Sequence, residues 1–267
     1  MKQDNDLHSQ LLKLSPTMKG EVLEKFILAA LGSIPWVGGF ISALVSIKTD
    51  ESKNKSDELQ TKWLKEHENK LVHLGITIKD IIGRFESLGD EINERIQSQE
   101  YLDIVRKAFR VWEKSDTQQK RGYVANIISN SASTNLCSDD VIRLFIDWLD
   151  NYHEIHFLII REIFQKPQVT RYGIWESVSG EFPQDDSAEA DLFKLIIRDL
   201  STGGVIRQER ETNLYGQFVR SSSRQRRGNT LESAFEDTKP YVLTELGRQF
   251  VHYTMNDVVT RIANVSN

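Results

Sequence analysis

No proline occurs from Trp36 to Lys166, and this narrows the possible folds more than any other feature of the sequence. Proline ends helices and marks the turns of folds in which strands and helices alternate. Within this span, apolar residues recur at steps of three and four, the period of an amphipathic helix. They are Ile78, Ile81, Ile82, Phe85, Leu88, Ile92 and Ile96, then Leu102, Val105, Ala108, Phe109 and Trp112. The span therefore predicts a helical bundle.

The pattern changes after Pro167, and here two short strands are expected besides helices. The strands are predicted over Val205–Arg210 and Tyr241–Leu243, with a long polar loop between them and a helix from Thr244 onward. Helices followed by two strands around a loop are the order of a winged helix. We therefore predict a mainly α protein of two domains, a helical bundle over 1–135 and a winged-helix-like domain over 136–267.

The spacing of apolar residues also predicts the buried faces of two helices in the predicted domain over 136–267. One helix begins after Ser138. The other is expected to begin at Asp186, which stands at capping-box distance from Glu189. The predicted core positions are Val141, Leu144, Phe145 and Trp148 in the first helix, and Leu192, Leu195, Ile196 and Leu200 in the second.

Residues 26–47 carry no charge, and Lys25 and Lys48 bracket them. An apolar stretch of about 20 residues is long enough to cross a bilayer as one helix. Pro35 interrupts it, because proline disfavours helical backbone at the residue before it. We therefore predict two short apolar helices that form a hairpin. Such a hairpin is either the centre of a soluble bundle, covered by the Ile78–Trp112 stripes or by another subunit, or a device that opens into lipid.

Within this hairpin, individual residues have distinct expected roles. Trp36 suits the depth of a membrane interface, and small residues allow close helix contact within lipid. Pro35 would keep the two arms apart, and the glycines that follow would supply a hinge. The membrane-contact candidates are Phe26, Ile27, Leu31, Trp36, Phe40 and Leu44, and the hinge candidates are Pro35, Gly38 and Gly39.

The sequence shows no set of residues at catalytic spacing, so we expect no enzyme and no cofactor. His153 and His156 are one residue too close for the HExxH zinc motif, and His156 is expected to be a satisfied, partly buried polar residue. Cys137 has no neighbouring base and is interpreted as a packing residue. Glu68 and Lys70 resemble the E-x-K of some nucleases, but they stand in a charged helix.

A net charge of −5 argues against general nucleic-acid binding, so any contact with DNA needs a local basic patch. The loop between the predicted strands supplies one, where the wing of a winged helix would lie. In DNA readers of this type, the helix that precedes the wing enters the major groove. Here that helix begins with acidic residues around Asp186 and Glu189, which would repel phosphate. DNA binding is therefore the alternative function, with Lys194, Arg198, Arg220, Arg224, Arg226 and Arg227 as the contact candidates.

The sequence shows resemblances to two known protein classes. The stretch AALGSIPWVGGFISALVS resembles the hydrophobic first-helix region of α-helical pore-forming toxins. The stretches KRGYVANIISNSAS, VIRLFIDWLDNYHEIHFLIIREIF and YVLTELGRQFVHY resemble the C-terminal half of bacterial abortive-infection Abi-alpha-like proteins. That second resemblance implies a helical front, a winged-helix-like end and a link to phage defence.

Together these observations predict a non-enzymatic effector in bacterial anti-phage defence that acts on a membrane. The start of the chain lacks the pattern of a secretory signal, so we expect it in the cytoplasm or at the periphery of the inner membrane. Its expected partners are further copies of itself and membrane lipid. A protein-interaction or assembly module on the winged-helix domain, and DNA at the basic wing, are the alternatives.

Overall fold

The computed structural model describes residues 20–37, 53–210, 213, 215 and 233–256. These residues form a mainly α protein, as predicted. The helices are α1 (Gly20–Gly32), α2 (Lys53–Leu88), α3 (Asn93–Gln97), α4 (Gln99–Lys114), α5 (Gln118–Ser133), α6 (Asp139–Asn151), α7 (Glu154–Gln165), α8 (Arg171–Val178), α9 (Ala188–Thr202) and α10 (Glu245–Thr254), with a 3-10 helix at Asp90–Ile92. The described strands, β1 (Ile206–Gln208) and β2 (Tyr241–Leu243), pair antiparallel with Ile206 opposite Leu243.

The chain divides into two compact units. Unit 1 comprises Met1–Asn151 and Tyr253–Asn267, and unit 2 comprises Tyr152–His252. Helix α6 belongs to unit 1 because it packs against α4 and α5. The domain boundary expected between residues 135 and 136 stays a prediction.

Two helices of unit 1, α4 and α5, begin at polar residues that cap them. The Ser98 hydroxyl accepts a hydrogen bond from the Tyr101 amide at 3.3 Å, and the Thr117 hydroxyl accepts one from the Lys120 amide at 3.2 Å. Such caps satisfy backbone donors that the first turn of a helix leaves unpaired. The predicted apolar stripe is buried in α2 to α4, except at Leu88, which is half-buried.

Helix α5 buries polar as well as apolar residues, which the hydrophobic period did not predict. Asn130 is fully buried, and its amide nitrogen donates to the Tyr253 carbonyl at 3.0 Å. The Asn126 amide nitrogen donates to the Thr254 carbonyl at 2.8 Å, and its oxygen accepts from Arg84. The two amides therefore satisfy carbonyls that the C-terminal turn of α10 leaves without a helical partner.

In unit 2, the N-cap of α9 is Ser187, one residue after the predicted Asp186. The hydroxyl of Ser187, not the carboxylate of Asp186, accepts the capping bond, from the Ala190 amide at 3.2 Å. The neighbouring Asp185 instead accepts hydrogen bonds from the Ser233 hydroxyl at 2.9 Å and from the amide of residue 234 at 3.2 Å. The capping-box interpretation of Asp186 and Glu189 was therefore wrong.

Two predicted core faces also need correction. Leu144 in α6 is 38% exposed, because it lies opposite the buried stripe that Phe145 and Leu149 share. Leu192 and Leu195 in α9 are 51% and 40% exposed. The predicted Ile196 and Leu200 are buried, and Ala190, Phe193 and Ile197 take the places expected for the two leucines.

The buried face of α9 is set by aromatic packing. The ring of Phe193 lies 5.1 Å from that of Trp175 and 5.9 Å from that of Phe235, measured between centroids. Aromatic side chains bury more area than leucine, and their pairs add attraction beyond that area. A helix that can present only one face to this cluster therefore turns Phe193 inward, and Leu192 and Leu195 outward.

A candidate membrane-active helix and the surfaces of unit 2

Helix α1 carries the first part of the uncharged segment, residues 26–32, and it is covered by the rest of unit 1. Its inner face packs on α3 and α4, and Phe85 of α2 completes the cover. The cover by the Ile78–Trp112 stripes that we predicted is thus confirmed for this arm. The buried apolar residues of the arm are Val22, Leu23, Phe26, Ile27, Ala29, Ala30, Ile34 and Val37.

Phe26 is the centre of this contact. Its ring meets Phe85 edge-on, with centroids 5.2 Å apart and an interplanar angle of 77°. It also meets Phe109 at 6.4 Å and 65°. All three rings are buried, and edge-to-face geometry is the favoured arrangement for such pairs. The three rings therefore form one continuous aromatic contact that joins α1 to α2 and α4.

The side-chain polar interactions of residues 20–34 are local. The Lys25 ammonium pairs with the Glu21 carboxylate at 2.9 Å, and its hydrogen bond lowers the pKa of that carboxyl. The Ser33 hydroxyl donates to the Ala30 carbonyl at 2.7 Å. Within the described structure, no side-chain hydrogen bond or ion pair joins these residues to another helix. Apolar contact alone therefore holds α1 against its neighbours.

The described part of the arm ends near Trp36. Residues 35–37 form a helical turn, and the Trp36 ring stacks on the His67 ring at 5.0 Å. The Lys70 ammonium lies 6.0 Å from the centre of the same indole, within cation–π range. Pro35 is exposed at the start of this turn. The other hinge and membrane candidates, Gly38, Gly39, Phe40 and Leu44, lie outside the described residues.

The outer face of α1 is partly apolar. Leu28 is 56% exposed and Leu31 is half-buried, whereas the charged residues of the helix all precede Phe26. Over the ranges that the structure describes, no helix combines the length and the apolar character needed to cross a membrane.

On unit 2, the two described DNA-contact candidates lie on α9. The Lys194 ammonium donates to the Asp185 carbonyl at 3.2 Å and lies 3.6 Å from the Asp191 carboxylate. Its charge is therefore engaged by neighbouring groups within α9 and just before it. Arg198 is exposed. The remaining candidates, Arg220, Arg224, Arg226 and Arg227, lie outside the described residues. The described face of α9 thus combines exposed leucines with more acidic than basic residues.

The histidine pair has a structural role at the start of α7. The Nδ1 of His156 accepts a hydrogen bond from the His153 amide at 3.1 Å, and its ring stacks on Tyr152 at 4.9 Å. His156 is buried and satisfied, as interpreted from the sequence. Among the described residues, no three His, Cys, Asp or Glu side chains lie close enough to hold a metal ion.

Cys137 is half-buried, and burial raises the pKa of its thiol. A raised pKa keeps the sulfur protonated and poorly nucleophilic at neutral pH. This agrees with the interpretation of Cys137 as a packing residue.

Comparison of the chain with protein-family models, with characterised proteins and with solved structures gives no match.

Proposed function

We propose that this protein is a non-enzymatic effector that acts on membranes in bacterial defence, and that α1 is the element that leaves its cover to enter lipid. The observation that carries this proposal is the way α1 is held. From Phe26 onward the arm carries no charge and packs on its neighbours through apolar contacts, and the side-chain polar interactions of residues 20–34 are local, so the arm can exchange one apolar surrounding for another. The defence context rests on the resemblance to Abi-alpha-like proteins.

The size of the buried face decides how release can happen. Six larger side chains of the arm are buried: Val22, Leu23, Phe26, Ile27, Ile34 and Val37. At about 1.5–3 kcal/mol each, exposing them to water would cost roughly 9–18 kcal/mol. That is comparable with the entire stability of an ordinary domain, about 5–15 kcal/mol. Release into water is therefore excluded, and the arm must transfer directly to lipid or to another apolar surface.

Lipid offsets most of this cost, because bilayer burial replaces bundle burial. The covered and inserted states can then differ by only a few kcal/mol, as a switch requires. A 13-residue helix such as α1 is about 20 Å long, shorter than the roughly 30 Å hydrocarbon core. By itself it would lie in the interface, and only together with the uncharged residues after it could it reach across.

The finer architecture is part of this proposal. We propose that unit 1 is a helical bundle around the apolar arm and that unit 2 is a winged-helix-like module for sensing or assembly. The order α7, α8, α9, β1, β2 with a long connection between the strands supports the winged helix. The exposed leucines and acidic residues of α9 favour a protein contact over DNA, so DNA binding at the basic wing remains the alternative.

Replacing Phe85 by Ala tests the proposal without knowledge of the natural trigger. The change removes the ring that meets Phe26 edge-on and leaves a cavity beneath α1, which typically costs about 3–5 kcal/mol. We expect it to weaken the covered state and to increase leakage of a dye from vesicles containing phosphatidylglycerol. Leakage is measured by fluorescence dequenching at equal protein concentrations.

Phe145→Ala is the matched control. Phe145 is equally buried in unit 1, and its described ring contacts are with Trp148 and Tyr253, neither of which belongs to the arm. We expect the two variants to lose similar stability, whereas only Phe85→Ala increases leakage. If both variants leak equally, general unfolding explains the effect. If neither binds nor permeabilises the vesicles, the arm is only a core element and the proposal fails.

A further inference from the structure

The end of the apolar arm is held by a cluster of side chains that differs from the rest of its cover. The indole ring of Trp36 stacks on the imidazole ring of His67 in α2, with centroids 5.0 Å apart and an interplanar angle of 24°. The Lys70 ammonium, about one turn further along α2, lies 6.0 Å from the centre of the same indole. Trp36, His67 and Lys70 together form the Trp36 clamp.

Lys70 also connects the clamp to α4. Its ammonium lies 3.7 Å from the Glu113 carboxylate near the end of that helix, so the positive charge beside the indole is balanced by an ion pair. The Lys70 side chain is 51% exposed, and an ion pair at such exposure contributes little stability by itself. The ion pair instead favours a position of the ammonium near the indole ring, to which a cation is attracted.

The clamp is accessible from solvent, whereas the aromatic contact at the centre of the arm is not. Trp36 and His67 are half-buried and Lys70 is exposed, but the ring of Phe26 is fully buried. A contact at the surface can be broken without first opening the core of unit 1. The clamp is therefore the attachment of the arm at which release can begin.

Its place along the chain matters as well, because a helix leaves a surface most easily from one end. Lifting this end exposes Ile34 and Val37 first, the last buried apolar side chains of the described arm. Lifting the arm all at once would expose its entire apolar face, at a much greater cost. Trp36 lies between Ile34 and Val37, and the uncharged sequence continues after it to Ile47.

We propose that the Trp36 clamp is an autoinhibitory contact, which keeps the end of the arm on α2 and thereby restrains its release. A ring stack and a cation–π contact each contribute a modest free energy, so loss of the His67 imidazole should raise the open population roughly two- to tenfold. The effect of the clamp on entry into lipid rests on the proposed function, whereas its effect on opening in water is independent of lipid.

Hydrogen exchange of the lipid-free full chain, followed by mass spectrometry, compares the wild type with His67→Ala. The amides of Ile34 and Val37 donate to the carbonyls of Leu31 and Ile34 at 3.3 and 3.1 Å, so they exchange when the end of the arm opens. We expect their exchange to become roughly two- to tenfold faster in His67→Ala, with exchange in α5 unchanged.

His73→Ala is the matched control. His73 is also half-buried in α2, and it lies six residues from His67, about 120° away around the helix. We expect this variant to exchange like the wild type at Ile34 and Val37. Unchanged exchange of these amides in His67→Ala would overturn the proposal. So would an equal effect of His73→Ala, or an equal acceleration in α5, which would indicate a general loss of stability.

The leakage assay with phosphatidylglycerol vesicles then separates the clamp from the proposed function. We expect His67→Ala, but not His73→Ala, to leak more than the wild type. If the arm of His67→Ala opens but neither this variant nor Phe85→Ala leaks, the clamp holds the arm and the lipid function fails. If Phe85→Ala leaks and His67→Ala does not, the clamp does not restrain entry, and its autoinhibitory role is refuted.

Discussion

Replacing Asn130 by Ala should destabilise unit 1 far more than its modest loss of volume suggests. Asn130 is fully buried in α5, and its amide donates to the Tyr253 carbonyl at 3.0 Å and to the Asn256 carbonyl at 3.5 Å. Tyr253 is also fully buried, so water does not readily replace the lost donor.

The expected loss of stability in Asn130→Ala has two contributions. A hydrogen bond contributes about 0.5–1.5 kcal/mol net, and a buried acceptor that loses its partner costs about 1–3 kcal/mol. The second bond, at 3.5 Å, is too long to add much. We therefore expect the free energy of unfolding to fall by roughly 2–4 kcal/mol.

Urea unfolding followed by tryptophan fluorescence measures this loss. Four of the five tryptophans, Trp36, Trp63, Trp112 and Trp148, precede Tyr152, so the signal reports mainly on unit 1. Asn151→Ala is the control, because the Asn151 amide also donates to a backbone carbonyl, of Asp147 at 2.8 Å, but at the exposed end of α6. We expect the control to change stability by less than about 0.5 kcal/mol. Equal effects of the two variants would refute the assigned role of the buried amide.

Two further predictions concern backbone space and alkaline pH. Gly247→Ala should destabilise unit 2, because the new Cβ would lie 2.1 Å from the Val205 carbonyl oxygen. Gly122→Ala is the control: nothing lies within 4 Å of its new Cβ, and the change should raise stability by up to about 1 kcal/mol. Thermal unfolding compares the two variants. A Gly247→Ala variant as stable as the wild type would contradict the close contact with Val205. Burial and the nearby Asp199 raise the pKa of the Tyr152 hydroxyl to about 12, so its contribution to stability is complete below about pH 10 and is lost as the pH rises through 12. Circular dichroism between these pH values should show a smaller loss of helical signal for Tyr152→Phe than for the wild type. Identical curves for the two proteins would refute this prediction.

The sequence predicts the helical class and the cover of α1 because both follow from periodicity. The stripe from Ile78 to Trp112 repeats at helical spacing, and such stripes must bury against another apolar surface. Residues 26–37 provide that surface without any charge, and the structure joins the two through Phe26, Phe85 and Phe109.

The sequence does not predict which of two adjacent apolar stripes faces inward. In α9, the predicted stripe contained Leu192 and Leu195, yet the buried stripe contains Phe193 and Ile197. Both stripes have helical spacing, and the choice depends on Trp175 and Phe235, which are distant in sequence. The polar interior of α5 was missed for the same reason, since the partner of Asn130 is more than 100 residues away.

The central claim is that α1 itself enters lipid, and a lysine at Leu28 tests it most directly. Leu28 is 56% exposed in the covered state, so a lysine there should leave the stability in water almost unchanged. At the bilayer centre a lysine costs about 2.5–3.5 kcal/mol. Nearer the interface the penalty is smaller, because the ammonium can reach water, so we expect the lysine to reduce insertion and not to abolish it.

The measurement is vesicle leakage by Phe85→Ala with and without Leu28→Lys, with Leu28→Ala as the control for loss of the leucine. Urea unfolding must first show equal stability in the presence and absence of the lysine. The account predicts that leakage by Phe85→Ala is reduced by Leu28→Lys and largely kept with Leu28→Ala. Leakage that is unchanged by the lysine would show that α1 does not enter the bilayer, and would contradict the account.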